Sequence, residues 1–90
     1  MQVSVSISPK TINLGEPVTV TYTSSGSDDT QLNADNLYNP IDLGGGEISG
    51  TIKLLPIASG SFNVSIVASA MNNGSGTIMN LQSADSCTVN

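Results

Sequence analysis

Asp28, Asp29, Asn33, Asp35 and Asn36 crowd one short stretch of the chain, and side-chain oxygens of this kind suit calcium. Their spacing does not match the calcium loop of an EF-hand, and Asp and Asn are ordinary turn residues, so turn chemistry is expected here and no metal. Other possible chemistry is sparse. Histidine is absent, which removes every Ser-His and Cys-His dyad. Ser8 and Lys10 form a conceivable Ser-Lys pair, but beside Pro9 at a strand end they read as solvated turn residues. Glycoside chemistry would need two carboxylates across a cleft, and the acids fall in loops or at strand ends of a small, flat protein. Gly44-Gly45-Gly46 lacks a following P-loop lysine and reads as a flexible connection. Cys87 alternates with Asp85 and Val89 and reads as a small buried hydrophobe; being the only cysteine, it can form no internal disulfide. Asn63-Val64-Ser65 and Asn73-Gly74-Ser75 fit the glycosylation acceptor pattern by chance in a chain rich in Asn and Ser. No catalysis and no cofactor are expected.

The 90 residues fit a single domain, 1–90. Lys10 and Lys53 are the only cations against a net charge of −5. Nucleic-acid binding depends on clustered Lys and Arg that replace counterions, so no nucleic acid is expected. An anionic membrane surface is disfavoured for the same reason. No apolar run approaches the roughly 20 residues of a membrane-spanning helix, and no basic-then-apolar leader opens the chain. Met1 leads straight into strand-like Gln2–Ile7, as expected of a domain taken from a longer chain with an added start, or of a complete cytosolic product.

The elements that would position these groups are strands. Val3, Val5 and Ile7 alternate with serines until Pro9, which suits an edge because it lacks a ladder donor. Ile12 and Leu14 are expected to continue on a partner sheet. After a Gly15-Glu16-Pro17 turn, Val18, Val20 and Tyr22 point inward and Thr19, Thr21 and Thr23 outward. Ser24–Asp29 reads as a polar loop, Leu32 and Ala34 as a third strand, and Leu37–Leu43 as an edge or loop around Pro40. Ile48 and Thr51–Leu54 form another strand ending before Pro56. Ser61–Ser69 is the strongest late strand, with Phe62, Val64, Ile66 and Ala68 inward. Asn72–Gly76 is a turn cluster, and Thr77–Asn90 holds the final strand with a break or bulge near Gln82–Ala84. No helix is expected. Short strands separated by turn signals predict an all-β sandwich, with edges protected near Pro9 and Pro40.

The order of these pieces resembles a bacterial or phage immunoglobulin-like (Ig-like) domain. The matching features are Ser8-Pro9, Gly15, the alternating Val18–Ser25 strand, Ser49-Gly50 through Pro56, and Gly60-Ser61-Phe62 before the penultimate strand. The chain departs from antibody domains in having one cysteine and no tryptophan, and Phe62 stands where a tyrosine would make the corner hydrogen bond. The resemblance implies about seven antiparallel strands in two sheets, disulfide-free, held at that corner by packing.

It also implies a surface role. In such a sandwich the loops 25–36 and 71–76 would cluster at one end. Asp28, Asp29, Asn33, Asp35, Asn36, Asn72 and Asn73 are then candidate sugar-binding groups, and Tyr38 is the one plausible exposed aromatic platform. The resemblance implies a non-enzymatic module of a phage virion, in a capsid decoration or tail protein, making weak contact with a host cell-surface glycan or protein and seated beside a neighbouring domain of its parent chain. The alternatives are an accessory or spacer domain of a secreted bacterial hydrolase or adhesin, outside the cell or on its surface, and a purely structural module.

Overall fold

The computed structural model describes residues 1–72 and 77–90, with 72 and 77 placed by backbone only. Asn73 and the rest of 73–76, within the expected turn cluster, lie outside the described residues. The strands are β1 (Gln2–Ser8), β2 (Thr11–Ile12), β3 (Val18–Ser27), β4 (Asp29–Ala34), β5 (Ile41–Asp42), β6 (Gly46–Leu54), β7 (Gly60–Asn72) and β8 (Thr77–Val89). They form a three-stranded sheet in the order β1-β3-β6 and a five-stranded sheet in the order β2-β8-β7-β4-β5. No helix occurs among the described residues. The protein is all-β, with two sheets in a sandwich-like arrangement.

The period-2 patterning places the core. Val5, Ile7, Val18, Val20, Leu32, Leu54, Phe62, Val64, Ile66, Cys87 and Val89 are buried in one cluster, with Ile12 closing it from β2. Burying a side chain of the Val, Leu, Ile or Phe class contributes about 1.5–3 kcal/mol each, and no cross-link supplements it, since Cys87 is free. The chain changes sheet between β1 and β2, around the cis Ser8–Pro9 peptide. There Asp85 of β8 fastens the two sheets: its Oδ2 accepts from the Ile7 N–H of β1 at 2.8 Å and from Lys10 Nζ.

Several sequence expectations are corrected. Eight strand segments replace seven among the described residues, two of them only two residues long. Not all pairing is antiparallel, because β2 runs parallel to β8. Leu14 does not continue β2: its N–H bonds the Asn90 carbonyl, but its side chain is exposed. The stretch Ser24–Asp29 is not a loop. β3 bulges between Ser24 and Ser27, and only Asp28 separates it from β4. The serines there turn inward because their hydroxyls satisfy one another. Ser27 Oγ and Thr30 Oγ1 lie 2.8 Å apart, with Ser24 Oγ within 3.4 Å of both, and all three residues are buried.

β7 and β8 are longer than the expected Ser61–Ser69 and interrupted Thr77–Asn90. They pair rung for rung from Gly60↔Val89 to Asn72↔Thr77, with no break at Gln82–Ala84. The apolar alternation lapses at Asp85 because the Ile7 N–H of β1 and the Lys10 ammonium supply it with polar partners. Beyond Asp29↔Ser69, where β4 ends, the β7–β8 pair continues as a two-stranded arm. The molecule accordingly measures 48 × 19 × 16 Å.

Candidate functional site

β4 separates the candidate residues instead of gathering them. Six residues of strand span roughly 20 Å, with Asp28 and Asp29 at one end and Asp35, Asn36 and Tyr38 at the other. Asn33 lies between them on the exposed face. The expectation that these groups share one loop region, and that the 25–36 segment as a whole joins 71–76, is therefore corrected: only Asp28 and Asp29 lie beside the arm that ends at Asn72.

Asp28 and Asp35 are engaged in mirrored ways. Asp28 donates its N–H to the Ser69 carbonyl at 2.8 Å, and its carboxylate accepts the Met71 N–H at 2.8 Å. Asp35 donates its N–H to the Asn63 carbonyl at 3.0 Å, while its carboxylate accepts both the Asn63 N–H at 2.8 Å and Asn63 Nδ2 at 2.9 Å. Each acid extends the β4–β7 ladder past the end of β4, with a carboxylate in place of a carbonyl. The pairing was not legible in the sequence, whose only trace of it is an acid just outside each end of a strand.

At the first end, Asp29 meets Asp42 of β5. The Asp29 carboxyl is pushed above the usual carboxylate range, chiefly by its hydrogen bond with Asp42, with desolvation and the Asp42 charge adding. The Asp42 carboxyl is held below it, first by the Gly44 N–H at 3.0 Å and then by Asp29. The two acids thus titrate as a unit with one retaining its proton longer. Beside them Asp28, Asp29, Ser69, Ala70, Met71 and Ile78 line a shallow hollow of about 160 Å³. Among the described residues no three acids, cysteines or histidines converge into a group that could hold a metal ion. Cys87 is buried, and burial raises its thiol above the ordinary value, the reverse of what a nucleophile needs.

The opposite end offers more. A groove of about 290 Å³ is lined by Asp35, Asn36, Ile57, Ala58, Ser61 and Phe62 among others. Asn36 Nδ2 donates to the Leu55 carbonyl at 2.8 Å, but Asn36 Oδ1 is buried without a partner, alone in this among the described residues. Tyr38, two residues along, is 99% exposed, and Ile57 is 78% exposed. The sequence singled out Asn36 and Tyr38 by type. Ile57 and Ser61 were missed as site residues, since nothing in the 56–61 segment marks it as facing the 35–38 turn. Comparison of the chain with protein-family models, with curated proteins and with solved structures finds no match.

Proposed function

We propose that the chain is an Ig-like display module, carried on the surface of a phage virion, which makes weak contact with host cell-surface glycans through the groove end of the sandwich. The Ig-like reading is supported by the sheet orders. One strand pairs in the small sheet, the chain then crosses to the edge of the other sheet, and β8-β7-β4-β5 follow in the sequence of a G-F-C-C′ layer. The observation that carries the binding reading is Tyr38. Tyr38 is fully exposed two residues from Asn36, which lines the groove with its unmet acceptor opposite the apolar wall at Ile57, and together they offer a stacking face and a hydrogen-bonding group to a sugar ring. A buried carbonyl without a partner costs free energy that a donor would recover.

The test is binding of the purified protein to intact bacterial cells and to a glycan panel, with Tyr38→Ala and Asn36→Ala as variants and Asp29→Ala at the far end as the control. Saturable binding lost in the first two and kept in the third is the expected result. Binding that survives Tyr38→Ala and Asn36→Ala would discard this site. Asp28 is unsuitable as a probe, because its carboxylate holds the Met71 N–H; the Asn36 amide likewise holds the Leu55 carbonyl, so Asn36→Ala counts only with its thermal unfolding unchanged, and Tyr38→Ala carries the test.

A second reading, a passive structural or spacer module, is favoured by the size of the groove. At about 290 Å³ it sits at the lower limit of ligand pockets, which run about 300–1,000 Å³. That reading expects no binding to cells or glycans at any protein concentration.

A further inference from the structure

β6 is an edge without protection. Among the described residues it is bonded to β3 on one side and to no strand on the other, so alternate residues over its nine-residue length turn N–H and C=O groups outward. An edge of this kind is a template for another strand. The other edges differ: β1 gives way at Pro9 to β2 on the opposite sheet, β5 is two residues long, just after Pro40, and the outer side of β8, which β2 covers only at Thr88 and Val89, belongs partly to the two-stranded arm. β6 has neither a proline nor a bulge at its centre.

Its sequence is complementary to itself. β6 runs Gly46–Leu54, so Gly50 is its midpoint. Laid antiparallel against a second copy with Gly50 opposite Gly50, the strand sets Glu47 against Lys53, Ile48 against Ile52 and Ser49 against Thr51, each pair occurring twice about the two-fold axis. Directly opposed residues share a face of the sheet. Glu47, Ser49, Thr51 and Lys53 are exposed on the outer face, whereas Ile48 and Ile52 are half-buried on the inner one. The isoleucines keep exposed area because no strand lies beyond them. The Tyr22 ring covers Gly50 from β3, its Oη 2.7 Å from where a Cβ would stand, and so brings an aromatic surface to the same axis.

Lys53 strengthens the case. The chain has two cations; Lys10 pairs with Asp85, and Lys53 forms no ion pair among the described residues. Its neighbour on β3 is Thr19. In the register above its partner is the Glu47 carboxylate of the other copy.

We propose that β6 is a homodimerisation edge: two copies pair β6 to β6 about Gly50, making one six-stranded sheet with Glu47–Lys53 pairs at both ends of the seam. The two-fold closes the assembly and leaves β1 as each outer edge.

Sedimentation equilibrium of the whole chain tests this. The wild type is expected to form a reversible dimer. Glu47→Lys, which turns both attractive pairs into repulsive ones, should weaken it about tenfold, and Lys53→Glu should do the same. The combined Glu47→Lys/Lys53→Glu chain restores complementarity and should return to the wild-type constant. Glu47→Lys is the sharper variant because it lowers the magnitude of the net charge, so general repulsion alone would make the dimer stronger. Both positions are exposed, and unchanged thermal unfolding verifies that the variants fold. A wild type that stays monomeric up to about 1 mM, or a dimer indifferent to all three variants, overturns the proposal.

Discussion

At Gly45 a Cβ would overlap the Asp28 carbonyl oxygen, with the carbonyl carbon at 2.8 Å and the Ser27 oxygen at 3.0 Å, while at Gly50 it would meet only the end of the Tyr22 side chain. Backbone cannot step aside at the close of the β3 bulge, but a tyrosine ring can swing. Gly45→Ala is therefore expected to cost about 1–3 kcal/mol, in the range of forced overpacking. Gly50→Ala should cost clearly less, with part of the loss offset by the lower entropy of alanine in the unfolded chain. Urea unfolding of the two variants checks this, and equal losses would contradict it. The triple glycine was legible in the sequence only as a flexible connection. What the pattern could not show is that its middle residue lies against the one-residue link between β3 and β4. The same limit hid the Ser24, Ser27 and Thr30 hydroxyls. Polar residues look solvated until a bulge brings their oxygens together.

The strands whose inner faces are uniformly apolar were read correctly from alternation: Val3 and Tyr22 are half-buried, and Val5, Ile7, Val18, Val20, Phe62, Val64, Ile66 and Ala68 are buried. Phe62, 4% exposed in the core, is the largest of these buried side chains, and Phe62→Ala should cost about 3–5 kcal/mol. Alternation failed where a neighbouring element took over the satisfaction of polar groups, as β1 does for Asp85. It also failed to show that β7 and β8 outrun the sandwich. Their outer rungs, Ala70↔Met79 and Met71↔Ile78, lie beyond the last β4 rung at Asp29↔Ser69, and Met71, Ile78 and Met79 are exposed. Amide protection in native-state hydrogen exchange should consequently fall along the pair, from the rungs around Phe62 and Cys87 to those around Met71 and Ile78. Local opening free energy follows the buried contacts that each rung must break. Uniform protection over the full length would mean that the arm is covered by something other than β4.

Over the whole molecule, acid pairs of opposite character set how stability depends on pH. Asp85 has a folded pKa below its ordinary value of 3.8, first through Lys10 and then through the Ile7 N–H, and Asp42 is likewise lowered. A lowered carboxyl contributes stability that is fully present above its unfolded value and is lost as the pH falls through its folded one. Both therefore penalise acidification below about 3.8. Asp29 is raised from 3.8, and the sign reverses. Its contribution is complete below that value and disappears as the pH climbs through the folded pKa. The net charge acts in the same direction on the neutral side. At −5 with two cations, self-repulsion relaxes as the sequence isoelectric point of about 4.1 is approached. The melting temperature is thus expected to peak near pH 4, falling toward pH 7 on one side and toward pH 2 on the other. Thermal scans across this range separate the causes. Asp85→Asn should flatten the acid limb and leave the neutral limb intact. Asp29→Asn should raise stability at pH 7 and flatten the neutral limb, leaving only the shallower slope due to net charge, which added salt then removes. A wild-type curve that rises steadily from pH 4 to pH 7, or an Asp29→Asn chain that follows the wild type throughout, would show that the Asp29–Asp42 contact does not form in solution.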